Sequence, residues 1–324
     1  MTMTTLSLVA DIGGTNTRVA LARGKVVQQD SIRRYANADF PGLEPVLTRY
    51  LAEEGISAVA GICVAAAGPV RDGVAVMTNL DWTITGAGLT AATGATRVSI
   101  LNDLQAQGHA LGRIEDRFLR PVIDGPTQAG ASMLVVGVGT GMNAAPVHET
   151  HWGRYVAASE CGHVSMPVRG EEDFRLMTFG ETYGASAHGF TGVEDVLAGR
   201  GLERLYAFVT HEAGKVEDKK AADIMAALAS GDEAARKTAQ LWVHQLGQTL
   251  GNLALIHLPF GGIYLIGGVA RAMTPYLDEL SLTAHFRDKG RFSTFMEGFR
   301  VTVVEDDFAA LTGCAAHLAA LSKS

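Results

Sequence analysis

The chain has 324 residues, 47% of them hydrophobic and 19% charged, with a formal net charge of −7. That length allows two domains of ordinary size, and that composition supports a substantial core, which excludes a disordered or low-complexity chain. The acidic balance, with no dense Lys/Arg run, excludes a general electrostatic attraction to nucleic acid or an anionic membrane.

In chain order, the first predicted strand is LSLVADI, which runs into the corner GGTNTR and emerges as a second apolar run. GLEPVLTRYLAEEG then carries Leu43, Val46, Leu47 and Leu51 at helical spacing. Further strands are predicted at VAGICVAAAG, VAVMTN, RVSILND, MLVVGVG, RYVAAS, GIYLIGG and RVTVVE. A long helix follows from DEAARKTAQLWVHQLGQTLGNLALIHL, and DFAALTGCAAHLAAL closes the chain as another. Strands alternating with helices predict an α/β fold. The N-terminal MTMTTLSLVADIGG lacks the basic region and apolar core of a signal peptide, and no apolar run reaches the roughly 18 residues of a membrane span. Cys63, Cys161 and Cys314 lie far apart with no CxxC pair, so a disulfide framework is not expected and a reducing cytoplasm fits.

Six stretches could carry chemistry. The first corner reads as a tight hairpin turn or as a phosphate cradle. In the second reading glycine N–H groups and threonine hydroxyls meet phosphate oxygens, and Asp11 offers an oxygen ligand to magnesium. LVVGVGTGMNAAPV repeats the pattern of strand, glycine turn and strand, a faint internal echo. Asn102-Asp103 ends a strand ahead of a helix, where Asp103 is either the helix N-cap or a proton acceptor at the carboxyl edge of a sheet. Glu160 and His163 stand in E-x-x-H spacing, but Gly162 and the following VSMP favour a loop over a metal-binding helix. Glu194 opens either a solvated helix start or a further set of acceptors. Gly267-Gly268 follows a buried strand and either eases packing or leaves room for a flat ring.

Taken in order, DIGGTNTR, LND, GVGTG, ECGH and GGIYLIGGVAR resemble the bacterial glucokinases of the hexokinase/actin-like superfamily, from about residue 6 to the C-terminal helix. The resemblance implies a two-lobed ribonuclease H-like fold with a central cleft. Its small lobe would be residues 1–112 completed by 306–324, and its large lobe 113–305. It implies ATP-dependent phosphorylation of the 6-hydroxyl of glucose, with Asp103 taking the proton. Asn102 and Asp103 would hold the 4- and 6-hydroxyl end of the sugar, and Glu160, His163 and Glu194 the 1- and 2-hydroxyl end. Asp11 would help hold Mg2+ through water. Gly13, Gly14, Thr15, Asn16, Gly139, Thr140 and Gly141 would line the ATP phosphates, with Gly267 and Gly268 beside adenosine. A homodimer is implied, and no structural zinc, because the cysteine cluster of the related ROK kinases is missing. Ser159, Cys161, Met142, Asn143 and Arg200 depart from the family pattern, which opens the question of sugar preference. The competing expectations are a kinase for another hexose or an N-acetylated amino sugar, and a sugar-sensing regulator, which the acidic charge disfavours.

Overall fold

The structure, a computed structural model, describes residues 6–77, 80–183 and 189–321. The chain divides into two compact units. One reaches to Asp116 and takes in Thr150–Ala158 and the segment from Asp306 onward; the other comprises Arg117–Glu149 and Ser159–Glu305. Sequence reading put the change of lobe at 112/113 and left 150–158 with the larger lobe. The short strand Gly153–Val156 joins the first unit because Arg154 donates to the carbonyls of Gly108 (3.0 Å), His109 (3.2 Å) and Leu111 (2.5 Å). Those carbonyls end the helix Asp103–Ala110 and have no acceptor role left within it.

In the first unit the sheet order is Val26–Val27, Asn16–Arg23, Leu6–Ile12, Gly61–Ala66, Arg97–Asn102, with Arg33–Ala36 also on Asn16–Arg23. Asn16–Arg23 is antiparallel to all three of its partners, Leu6–Ile12, Val26–Val27 and Arg33–Ala36, while Leu6–Ile12, Gly61–Ala66 and Arg97–Asn102 run parallel. Leu8, Ala10 and Ile12 face one core with helix Leu43–Glu53, while Val9 faces another with helix Ala309–Leu321. Burial on both faces explains why these strands read as continuous apolar runs. The closing helix lies hard against Asp103–Ala110, since a Cβ on Gly313 would run into the carbonyl of Ala106.

In the second unit the order is Leu119–Ile123, Val301–Val304, Ile263–Ile266, Met133–Val138, Met142–Thr150. Met133–Val138 is antiparallel to Met142–Thr150 and parallel to Ile263–Ile266, which is parallel to Val301–Val304. Both units therefore share one core plan: a hairpin around a glycine corner, its first strand continued by two parallel strands. The echo in the sequence is a repeated topology. The second core centres on the helix Glu233–His257, whose fully buried Trp242 donates from Nε1 to the carbonyl of Leu197 at 2.9 Å. The expected strand VAVMTN is the short Val74–Val76; Thr78 and Asn79 lie outside the described residues. Among the described residues no helix is long and apolar enough to cross a membrane.

Candidate functional site

Register brings the first unit's candidates to one sheet edge. Ile12 pairs with Ala66 and Ala66 with Asn102, so the parallel strands bearing Asp11 and Asn102 end together. Ligand sites of open α/β sheets lie at such carboxyl edges. The turn after Ile12 is held from within. Gly13 donates to the carbonyl of Asn16 (3.0 Å), and Asn37 donates from Nδ2 to the carbonyl of Gly13 (2.8 Å) and from its backbone to that of Thr15 (2.9 Å). Thr17 in turn donates to Asn37 Oδ1 (2.8 Å). Gly14 and Thr15 are left exposed at the tip, while the Gly13 N–H is spent inside the turn. The corner is a hairpin turn whose exposed tip leaves the cradle reading open, and the buried Asn37 that fixes it gave no local signal in the sequence.

Asp11 sits at the base of this turn, 17% exposed, with Arg18 Nη1 3.2 Å from Oδ2. Burial raises its pKa, and Arg18 offsets only part of that. A half-neutralised carboxylate of this kind fits a hydrated divalent cation, which needs one or two carboxylates and keeps several waters. No group of three or more His, Cys, Asp or Glu among the described residues is arranged to hold an ion by itself.

Asn102, not Asp103, caps the following helix. Asn102 has extended backbone (φ −66°, ψ 153°), and its Oδ1 accepts from Leu104 N (3.0 Å) while Gln105 Oε1 accepts from Asn102 N (3.1 Å). Its Nδ2 also donates to the carbonyl of Gly68 (3.2 Å). Asp103 is the first helical residue, and its Oδ1 accepts from Leu104 N (2.9 Å). Burial pushes its pKa up to about 6; the Leu104 N–H pulls it down, and the Asp11 charge adds to the rise. A carboxylate of raised basicity that a neighbour has relieved of capping duty is suited to accept a proton.

The second unit's candidates gather around its own glycine corner. Gly139 donates to the carbonyl of Gly141 (2.9 Å) and accepts from Gly199 N (2.8 Å), and Thr140 is exposed. Gly267 has φ +104°, and a Cβ there would strike the carbonyl of Val138. Gly268 has open space where a Cβ would be. Gly139, Gly199 and Gly267 therefore meet in one floor, in which Gly267 is the position that only glycine can occupy. Beside Ala198 opens a cavity of about 500 Å³ bordered by Glu194, Arg200, Tyr183, Lys219 and Lys220. Sequence reading assigned nothing to Tyr183 or the lysines.

Glu194 is not a solvated helix start. Its Oε2 accepts from Met142 N (2.8 Å), directly after the glycine corner, and Gly141 and Gly162 both lie against it. Arg200 Nη2 is 4.0 Å from Oε1 but 84% exposed, which makes it a weak partner. Glu160 and His163 flank a single 3₁₀ turn, Cys161–His163, and both are exposed. Gly162 anchors that turn, because any Cβ would enter the carbonyl of Met142.

Asn143 ties these pieces together. Its Oδ1 accepts from Cys161 N (3.1 Å) and Ser159 Oγ (3.2 Å), and its Nδ2 reaches Glu160 Oε2 at 3.4 Å. Ser159 Oγ also donates to the carbonyl of Ala144 (2.7 Å). Three of the residues that depart from the resemblance, Asn143, Ser159 and Cys161, thus form one network, directed at the Glu160 loop and not at the Gly139–Gly141 corner. Replacing Asn143 by Ala removes that frame. On the resemblance's assignment of Glu160 and His163 to a sugar, the expected result is a KM for the sugar raised about tenfold, since lost part-buried hydrogen bonds cost about 1–2 kcal/mol, with kcat changed less. Steady-state kinetics that show no change in KM contradict this role.

The family model for Glucokinase matches residues 8–321 of the chain. A glucokinase of Salmonella typhi is 32% identical over 323 residues, covering 98% of each chain. A crystal structure of a glucokinase from an Antarctic psychrotroph superposes with a TM-score of 0.87 at 28% identity, covering 97% of this chain and 98% of the other. A glucokinase from Balamuthia mandrillaris in complex with glucose superposes with a TM-score of 0.80 at 25% identity, covering 97% of this chain and 93% of the other.

Proposed function

The chain belongs to the glucokinase family, and we propose that it transfers the terminal phosphoryl group of ATP to the 6-hydroxyl of D-glucose, giving glucose 6-phosphate and ADP. The observation that carries the reading is Asp103: a carboxylate at the carboxyl edge of a parallel sheet, pushed up to about 6, with Asn102 already doing the capping. Asp103 takes the proton of the 6-hydroxyl as O6 bonds to the γ-phosphorus and the bond from that phosphorus to the β–γ bridging oxygen breaks. Little covalent chemistry falls to the protein, so positioning and charge neutralisation supply most of the acceleration.

Asn102 holds the 4- and 6-hydroxyl end of the sugar; Glu160, His163 and Glu194 hold the 1- and 2-hydroxyl end. Gly14, Thr15, Asn16, Thr140 and Gly141 meet the phosphates, with Gly13 and Gly139 shaping their turns. The floor at Gly267 and Gly268 and the neighbouring cavity with Arg200, Lys219 and Lys220 receive the nucleoside. Mg2+, held through water by Asp11, would neutralise phosphate charge. In this reading the protein acts in the cytoplasm, as a homodimer, on a small sugar and without nucleic acid.

Two measurements test the assignment. NMR of the product formed from glucose, ATP and Mg2+ is expected to show phosphorus on O6; phosphate on another oxygen, or none, contradicts it. Asp11→Ala is expected to raise the Mg2+ concentration needed for half-maximal turnover at least tenfold while calorimetry with glucose alone stays near wild type. Equal loss of both would make Asp11 a structural residue of the first turn.

A further inference from the structure

The second unit also holds a carboxylate–histidine–histidine chain that phosphoryl transfer does not use. Asp173 is 4% exposed, and its carboxylate accepts from Arg169 N (2.8 Å), Gly170 N (3.2 Å) and Gln245 Nε2 (2.8 Å). His244, on the helix Glu233–His257, places Nε2 3.2 Å from the same carboxylate. Its Nδ1 lies 3.3 Å from Nδ1 of His285, on the helix Leu282–Arg287, with the rings nearly perpendicular at 88°. Both rings border a cavity of about 600 Å³ and are only half-buried.

These contacts fix protons. An ionised Asp173 accepts only, so His244 Nε2 carries hydrogen and Nδ1 presents a lone pair. Burial would raise the Asp173 pKa, but the His244 ring and the Arg169 and Gly170 N–H groups hold it below the usual carboxylate value. His285 then fills the gap by donating from Nδ1, unless something else takes the place of that proton. A carboxylate that orients a histidine through its far nitrogen is the outer-shell arrangement of metal-binding histidines. The 3.3 Å between the two Nδ1 atoms is close to the edge of a tetrahedron around an ion with bonds of about 2.0–2.1 Å. The cations around the cavity are each paired, Arg236 with Glu279 (2.6 Å), Lys237 with Glu172 (2.8 Å) and Arg169 with Asp288 (3.1 Å), and Glu171 adds a carboxylate to the lining.

We propose that His244 and His285 form a binding site for one divalent first-row transition-metal ion, such as Zn2+ or Cu2+, with water in the remaining positions and Asp173 as the orienting partner of His244. Binding shifts His285 to its Nε2–H form and ties the short helix Leu282–Arg287 to the long helix. Imidazole ligands favour such ions over Mg2+ and Ca2+, and Cu2+ is expected to bind more tightly than Zn2+. This site stands apart from the kinase assignment and does not depend on it.

Equilibrium dialysis of the untagged full chain against Zn2+, Cu2+ and Mg2+ is the test, with electron paramagnetic resonance of the Cu2+ form. The expected result is one saturable ion per chain for Zn2+ and Cu2+, none for Mg2+ at these residues, and a Cu2+ spectrum with hyperfine splitting from two nitrogens. His285→Gln and His244→Asn should each weaken binding at least tenfold, and Asp173→Asn about 10–100-fold. Absence of saturable binding, a spectrum without two nitrogens, or unchanged affinity in either histidine variant overturns the proposal. The wild-type spectrum decides the matter should a variant fail to fold.

Discussion

Asp103→Asn is expected to lower kcat by about 10²–10⁴, the usual worth of a positioned base, while calorimetry still detects glucose. The same substitution should leave thermal stability unchanged or raised. A carboxyl whose pKa rises from 3.8 to about 6 on folding binds its proton more tightly in the native state. Its penalty is absent below pH 4, grows as the pH climbs, and is complete above 6, where it is on the order of 3 kcal/mol. Asparagine removes that penalty. A residue kept only for its contribution to the helix start would show the opposite: full turnover and lost stability. The base must be ionised to work, so wild-type kcat/KM should fall as the pH drops through about 6, and that limb should vanish from the residual activity of Asp103→Asn. Near wild-type turnover in the purified variant would remove Asp103 from the mechanism.

Gly162→Ala is the second large effect. A Cβ at this position would enter the carbonyl of Met142, and backbone, not a flexible side-chain end, stands in its way. The Cys161–His163 turn must move, taking Glu160 and His163 with it, and the shift also presses toward Glu194, whose Cβ lies 3.4 Å from the same point. Overpacking costs about 1–3 kcal/mol of stability. Displacing the three groups proposed to hold the sugar by an ångström is expected to cost about 10²-fold in kcat/KM. Gly86→Ala is the control, since its added Cβ would rest 3.9 Å from Val98. Wild-type kcat/KM in Gly162→Ala would detach the 160–163 turn from substrate binding.

What the sequence made legible was local. Glycine corners between apolar runs located Gly13–Asn16 and Gly139–Gly141, and 3–4 spacing located the helices Leu43–Glu53, Glu233–His257 and Ala309–Leu321. The helices Glu171–Thr182, Gly199–Glu212 and Ala221–Ala229 were passed over; charged and small residues blur the pattern in the first and third, but Leu202, Leu205 and Tyr206 of the second stand at helical spacing and were a legible signal that was missed. Asp103 stood open between N-cap and proton acceptor, and residue type alone did not show that the preceding Asn takes the cap. It took the backbone angles to place Asn102 outside the helix. Glu194 stood open between a solvated helix start and a further set of acceptors because its partner, Met142 N, lies 52 residues away. Asn143 and Asn37 act on loops 16 to 24 positions distant, and a side-chain amide announces no such target by itself.

Sugar discrimination tests the central claim most directly. The measurement is kcat/KM for glucose, 1,5-anhydroglucitol and N-acetylglucosamine under one set of ATP and Mg2+ concentrations. Glu160, His163 and Glu194, framed by Asn143, are assigned to the 1- and 2-hydroxyls. Losing the 1-hydroxyl should leave polar groups unpaired, about 1–3 kcal/mol or roughly ten- to more than a hundredfold against the anhydro sugar. The bulky 2-substituent of N-acetylglucosamine should meet the Ser159–Cys161 corner, which Asn143 already fills. Glucose is therefore expected to exceed both by at least tenfold, and an N-acetylglucosamine value equal to or above that of glucose would contradict the assignment and make the protein an amino-sugar kinase.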